Sequence, residues 1–364
     1  MQQKTYIPSD EKKIVIHGRT SLHAPNVLFW TGSSVELRTD ASCLSFEIET
    51  EFSVFEQWIR IVVNNYTMIR MPLNRGMNTV SVFRGMTPDK IKHVTLIKEV
   101  QPMRDDPNSF LKICAIHCDG ELYPVEKKHY RIEFIGDSIT SGEGLAGTTE
   151  TISWVPMIFT TQEHYALKTA HALHADYRIL SQSGWGVYTG WDNDPNKALP
   201  KYYTKVCSVL SDEHNKSLGS CEDYQFSSWV PDAIVVNLGC NDSFAFNSPP
   251  WKDPVSGAIY QQGIKSTDQF CSAVYDFICL LRKCNPSSHI IWCYGMIGRV
   301  LQPYIEDTVS SYIRDTNDTK VSFQLLPDLK EEWIAANNHP GEQSHEAAAN
   351  VLIDTIGRIL ESNL

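Results

Sequence analysis

The sequence predicts an α/β chain in two parts: a β-sandwich or jelly roll over residues 1–127, then a parallel sheet with helices on both faces over 128–364. Three observations predict it. The chain has 364 residues, too many for one ordinary domain and enough for two. Up to about residue 125 apolar positions recur every second residue, with no convincing amphipathic helix. After Pro124-Val-Glu-Lys-Lys, apolar strand segments alternate with helical stretches, which implies right-handed crossovers and a parallel sheet.

Taken in order, Leu44-Ser-Phe-Glu-Ile-Glu, Trp58-Ile-Arg-Ile-Val-Val, Thr79-Val-Ser-Val-Phe and Val94-Thr-Leu-Ile-Lys read as strands. Turns such as Asn74-Arg-Gly-Met-Asn and Arg104-Asp-Asp-Pro-Asn separate them, as in two packed antiparallel sheets. The second part reads as strands at 130–135, 177–180, 233–238, 290–294 and 321–326. A helix over 266–283 opens on Ser266-Thr-Asp, good capping chemistry, and aligns Phe270, Val274, Phe277 and Leu281. A last helix over 342–360 aligns Ala348, Leu352, Ile356 and Leu360. In such sheets the ligand site lies beyond the carboxyl ends of the strands, which places catalysis in the second part.

Composition narrows the function. With 42% hydrophobic and 21% charged residues the chain is a folded globular protein. Its 43 acidic and 32 basic residues give a formal charge of −11, which argues against nucleic-acid and anionic-membrane partners. No apolar run approaches the roughly 18 residues of a membrane-spanning helix. The opening Met1-Gln2-Gln3-Lys4-Thr5 has no apolar stretch, so a cytoplasmic location is expected. The ten cysteines are scattered and read as reduced thiols, with Cys43, Cys207, Cys240, Cys279 and Cys293 as small hydrophobes in apolar or periodic surroundings. Cys114 and Cys118 flank His117 without a second pair at zinc spacing, so no metal site is expected.

Three strand ends carry the chemistry. Ile132-Glu-Phe-Ile-Gly136-Asp137-Ser138-Ile139-Thr140 runs a strand into a polar turn, where an exposed serine near a helix N-terminus suits a nucleophile. A turn with a helix cap explains that segment alone equally well. Leu180-Ser-Gln-Ser-Gly184-Trp-Gly186 follows the second strand and Val236-Asn-Leu-Gly239-Cys240-Asn241-Asp242 the third. The N–H groups of Ser138 and Gly184 and the Asn241 amide could form an oxyanion hole. Asp137 is expected to fix the turn. A base must come from elsewhere, and His339, in Asn337-Asn338-His339-Pro340-Gly341 between the last strand and the last helix, is the histidine so placed. His345 reads as packing or capping, and His164, His171 and His174 as one helix face. Trp185, Trp191, Trp251 and Trp292 lie in or near strand-end segments; Trp185 and Trp292 are the expected substrate-binding aromatics, with burial in the core as the alternative for each.

These blocks resemble the SGNH (GDSL-type) hydrolases. Gly136-Asp137-Ser138-Ile139 stands at their Gly-Asp-Ser-Leu signature, and Gly239-Cys240-Asn241-Asp242 matches their Gly-x-Asn-Asp block. Gly18-Arg19-Thr, Trp30-Thr-Gly-Ser-Ser-Val-Glu-Leu-Arg and Arg131-Ile-Glu-Phe-Ile-Gly-Asp-Ser-Ile-Thr-Ser-Gly are together similar to carbohydrate esterase family 2. The resemblance implies a flavodoxin-like three-layer SGNH domain behind a jelly roll, with Ser138, Gly184, Asn241 and His339 as its nominal residues. It further implies removal of O-acetyl groups from plant-derived xylo- or manno-oligosaccharides, without a cofactor. Without a secretory signal, imported acetylated oligosaccharides are the expected substrate. The sequence specifies no oligomeric state.

One departure from the superfamily matters. The aspartate three residues before the histidine is here Ala336. Loss of that acid from a triad enzyme can cost about 10⁴-fold. Some family members resemble this chain in using a Ser-His dyad with the imidazole held by a backbone carbonyl, which is the favoured reading. A remote carboxylate (Asp328, Glu331, Glu332 or Glu342) and a chain without activity are the others. Two further functions compete: an SGNH lipase or thioesterase acting on lipid or small acyl esters, and a degenerate, non-catalytic carbohydrate-binding protein.

Overall fold

A computed structural model describes residues 3–260 and 267–361. The first part of the chain forms strands β1 (Lys4–Tyr6), β2 (Val15–His17), β3 (Ser34–Thr39), β4 (Leu44–Glu51), β5 (Trp58–Val63), β6 (Tyr66–Pro72), β7 (Gly76–Phe83), β8 (Lys92–Lys98), β9 (Phe110–Cys118) and β10 (Leu122–Tyr123). They make two antiparallel sheets, one in the order β1-β9-β4-β7 and one in the order β10-β3-β8-β5-β6 with β2 paired to β3. Period-two burial explains why they pack. In β4, Leu44, Phe46, Ile48 and Thr50 are buried and the residues between are partly exposed. Phe46 and Ile48 share one apolar core with Leu37, Ile59, Ile61, Val94 and Leu96 of the other sheet.

The second part is built on β11 (Tyr130–Gly136), β12 (Ala175–Ser181), β13 (Ala233–Asn237), β16 (His289–Met296) and β17 (Val321–Asp328), with a small hairpin of β14 (Trp251–Lys252) and β15 (Ile259–Tyr260). The five longer strands are all parallel, in the order β12-β11-β13-β16-β17. Counted within the sheet this is 2-1-3-4-5, the flavodoxin-like order. Every residue of β13 is buried, as a central strand covered on both faces requires. The helices are α1 (Ser138–Ser141), α2 (Tyr165–Ala172), α4 (Cys240–Ala245), α5 (Thr267–Cys284), α6 (Gln302–Thr316) and α7 (Glu342–Glu361), while α3 (Glu213–Ser217) belongs to the first unit. On one face α2 and α7 pack Ala166, Ala170, Leu352 and Ile356 against Ile132, Phe134 and Ile291. On the other, Phe277 of α5 meets Trp292 edge-on. The aligned residues of α5 and α7 are buried as their spacing requires. Ser266, offered above as a cap, lies outside the described residues.

The first break falls at 128/129, one residue from the expected 127/128, and the expectation of two continuous segments is what needs correction. One compact unit holds Met1–Lys128 but also Val155–Met157 and Lys205–Tyr224; the other holds His129–Trp154, Ile158–Thr204 and Gln225–Leu364. Single side chains hold the returning segments. Trp30 Nε1–H donates to the Val206 carbonyl at 2.8 Å, and Asn215 Nδ2–H to the Pro107 carbonyl at 2.9 Å. Arg19, fully buried, reaches the Lys205 carbonyl at 3.2 Å and lies 4.3 Å over the Tyr224 ring. Such links leave no periodic trace, so hydrophobic rhythm cannot reveal them. Among the cysteines, Cys207, Cys240 and Cys293 are buried, but Cys43 and Cys279 are exposed, one just ahead of β4 and one on the open face of α5.

Candidate active site

Register places the three loops side by side. Gly136 at the end of β11 pairs with Ser181 of β12 and with Asn237 of β13, so Ser138, Gly184 and Asn241 leave one row of the sheet within a few residues of each other. Gly136 has to be glycine: a Cβ there would lie 2.0 Å from Thr140 Oγ1 and 2.9 Å from the Asn237 carbonyl. Asp137 caps α1, its Oδ1 accepting the Ile139 N–H at 3.1 Å. Ser138 opens that helix, where a backbone N–H has no intrahelical partner. Neither the Ser138 nor the Gly184 N–H meets a protein acceptor among the described residues.

The histidine loop meets this row. His339 Nε2 lies 2.8 Å from Ser138 Oγ, and Nδ1 lies 2.8 Å from the Asn337 carbonyl. A carbonyl only accepts, so Nδ1 carries the proton and Nε2 turns its lone pair to the serine hydroxyl. Asn337 presents its carbonyl from a left-handed conformation (φ 52°, ψ 35°). Ala336 is fully buried and donates its N–H to the Gly144 carbonyl at 3.1 Å. Gly144, at φ +82°, lets the loops approach; a Cβ there would come within 2.3 Å of the Ala336 carbonyl and 2.6 Å of His339 Cβ.

None of the four remote carboxylates faces the imidazole. Asp328 pairs with Arg299, and Glu331, Glu332 and Glu342 are exposed. The carboxylate that does is Glu143, absent from the sequence expectations. It is buried, its Oε1 accepting Asn337 Nδ2–H at 2.6 Å and lying 3.7 Å from His339 Nδ1. Its one local sign is a place between Gly142 and Gly144, both at positive φ.

Asn241 and Asp242, in the first turn of α4, lock the Gly184 turn. Asn241 Nδ2 donates to the Trp185 carbonyl at 2.9 Å and to Asp137 Oδ2 at 3.2 Å, so both its hydrogens have protein acceptors here. Asp242, fully buried, accepts the N–H groups of Val187 (2.9 Å), Tyr188 (2.9 Å) and Thr189 (3.2 Å). Gly186 leaves it room, since a Cβ there would sit 2.2 Å from Asp242 Oδ2. Burial pushes the Asp242 carboxyl up to about 6 against those three hydrogen bonds. Burial, with the charges of Asp242 and Glu143, pushes Asp137 up to about 7.

The other histidines serve the scaffold. His345 Nδ1 accepts the Tyr165 N–H at 3.2 Å, and complete burial holds its pKa well below the ordinary histidine value. His164 caps α2 through the Ala166 N–H and reaches the Ile139 carbonyl at 3.1 Å. His171 and His174 are exposed. No group of three or more His, Cys, Asp or Glu side chains suited to a metal ion occurs among the described residues.

The substrate-binding aromatics need correction. Trp292 is fully buried, with its Nε1–H toward the Leu238 carbonyl at 3.3 Å. Trp185 is 3% exposed and packs 4.8 Å from the Tyr202 ring. Neither ring has a free face for a sugar. Trp191 does, at 52% exposure. Its N–H donates to the Gly184 carbonyl at 3.1 Å, and a Cβ on Gly184 would come within 3.0 Å of its ring. Trp251 is half-buried in the β14–β15 hairpin.

No family model matches the chain. It is 33% identical over 268 residues to an acetylxylan esterase/glucomannan deacetylase of Cellvibrio japonicus, covering 69% of this chain and 68% of that protein. It is 26% identical over 362 residues to a cellulase/esterase of Acetivibrio thermocellus, covering 94% of this chain but spanning 39% of that protein's length. Among solved structures, an acetyl xylan esterase from the rumen bacterium Butyrivibrio proteoclasticus superposes with a TM-score of 0.95 at 39% identity, over 99% of both chains. A family two carbohydrate esterase from Clostridium thermocellum, in complex with cellohexaose, gives 0.79 at 24% identity over 96% of this chain and 99% of that one.

Proposed function

The chain belongs to carbohydrate esterase family 2 of the SGNH hydrolases, and from that premise we propose that it removes acetyl groups from plant-derived xylo- or manno-oligosaccharides through a Ser138–His339 dyad. It is a carboxylic ester hydrolase. The observation that carries the residue roles is the 2.8 Å approach of His339 Nε2 to Ser138 Oγ, with Nδ1 held at 2.8 Å by the Asn337 carbonyl.

The chemistry follows from that pair. His339 Nε2 takes the Ser138 proton as Oγ attacks the acetyl carbonyl carbon. The Ser138 and Gly184 N–H groups face the developing oxyanion. Asn241 joins them by turning toward it the hydrogen now given to Asp137 Oδ2. The imidazolium then protonates the departing sugar oxygen, leaving acetyl-Ser138. Water, deprotonated by His339, attacks that ester; acetate departs and the proton returns to Ser138 Oγ. The Asn337 carbonyl keeps the imidazole in one tautomer through both halves. Trp191 offers an exposed face beside Gly184 on which a sugar ring can stack. A short acyl group suits a nucleophile set among Gly136, Asp137, Gly184 and Asn241.

The test is acetate release from acetylated xylo- and manno-oligosaccharides by wild type, Ser138→Ala and His339→Ala, with long-chain acyl esters in parallel. Wild type should release acetate and turn over long chains far more slowly, and either substitution should silence it. Efficient long-chain hydrolysis would favour a lipid esterase. Sugar binding without ester cleavage would favour a binding protein. Either result overturns this reading.

A further inference from the structure

We propose that Glu143 is a positioning residue for His339, supplying at one residue's remove the negative charge that Ala336 cannot. The inference rests on the Ser138–His339 reading above. Three observations carry it. The Glu143 carboxylate is buried, at 2% exposure, and holds Asn337 by the 2.6 Å bond from Nδ2, so the residue whose carbonyl orients His339 is itself fixed by Glu143. Its Oε1 lies 3.7 Å from His339 Nδ1, beyond hydrogen-bond range but close for two charges. Among the described residues no Lys or Arg pairs with Glu143; His339 is the group within ion-pair reach.

A buried carboxylate without a fixed cation gains most when a cation appears beside it. His339 becomes that cation when it takes the Ser138 proton. Glu143 therefore favours the imidazolium of the transition state over the neutral resting ring, which is the work of a triad acid done without a direct hydrogen bond. The geometry that places it is local: Gly142 and Gly144, both at positive φ, turn Glu143 back toward the histidine loop, and Gly144 lets that loop come close.

Other titratable groups surround the pair. Asp137 and Asp242 lie in the same electrostatic cluster as Glu143 from the serine and asparagine loops. On α7, the buried His345 packs beside His164 and feels the charges of His164, His339 and Lys168. A pH profile alone would mix these, so the experiment reads His339 directly.

The experiment follows the His339 ring by NMR titration in wild type and Glu143→Gln, with kcat, KM and the pH–rate profile for wild type, Glu143→Gln and Glu143→Asp. Gln keeps an acceptor for Asn337 and removes only the charge. Glu143→Gln should move the His339 ring titration and the acidic limb of kcat to lower pH, with a kcat loss of roughly 10- to 100-fold and little change in KM. Glu143→Asp should recover part of the loss. Unchanged titration and kcat in Glu143→Gln overturn the proposal, as does a loss with the midpoint unmoved and no recovery in Glu143→Asp. Retained acetate release by Ser138→Ala or His339→Ala would instead defeat the dyad itself. The ring titration needs no turnover, so the two failures are distinguishable.

Discussion

At Gly144 two loops meet with no room for a methyl group, and at Ala336 the same packing leaves none for a carboxylate. Gly144→Ala should displace the His339 loop and lower kcat by about 10²-fold with the far-UV spectrum unchanged; full activity would contradict the packing described. Ala336→Asp restores the superfamily's residue in sequence only. Ala336 is fully buried, and a Cβ on Gly147 would already stand 2.8 Å from its own Cβ. The substitution should destabilise the fold by roughly 3–5 kcal/mol and leave kcat no higher, since the new charge is buried and unpaired. A gain in kcat with unchanged stability would sink that argument. The convergence of the Ser138, Gly184, Asn241 and His339 loops was legible because each follows a strand of one parallel sheet. Glu143 was not, because its link to His339 runs through Asn337, far away in sequence. Trp185 and Trp292 were misplaced because proximity to a strand end does not tell which way a ring turns.

The unit of the site is the strand end with the turn it carries. The register of Gly136 with Ser181 and Asn237 places Ser138, Gly184 and Asn241 in one row, and α4 holds the middle turn through Asp242. Asp242→Ala leaves three N–H groups, two of them buried, without an acceptor. It should cost about 3 kcal/mol or more and depress kcat by loosening Gly184. The pH dependence of that cost has a definite sign. The folded carboxyl titrates at about 6, above the roughly 3.9 of an unfolded aspartate, so the folded state binds the extra proton between them. The stability Asp242 contributes is full below about pH 4 and falls as pH rises through 6. Urea denaturation should thus show a larger penalty for Asp242→Ala near pH 4.5 than near pH 7.5. A penalty that grows with pH would contradict it. Strands and the α5 and α7 faces were legible from period and caps. Helix α6 was not read, because Pro303 and a polar sequence obscure its buried Ile305, Val309 and Tyr312.

Over the whole chain, the change of rhythm after residue 125 reports the change from antiparallel to parallel sheets, because period two marks sheets with one buried face and apolar runs mark strands covered on both. What rhythm cannot report is the return of 205–224 to the first unit. That segment is held by Trp30, Arg19 and Asn215, so Trp30→Phe, which removes the donor to the Val206 carbonyl, should raise hydrogen exchange across 205–224 and leave β11–β13 protected. Unchanged exchange there would mean other contacts hold it. No helix among the described residues is long and apolar enough to cross a membrane. In the proposed reaction Ser138 carries the acetyl group between the two halves. The most direct measurement is rapid acid quench of the enzyme turning over an activated acetyl ester, followed by peptide mass spectrometry. One acetyl group should appear on the peptide holding Ser138 during turnover, and be absent in Ser138→Ala and in His339→Ala. Turnover with no acetyl on Ser138 at any time point would contradict the mechanism.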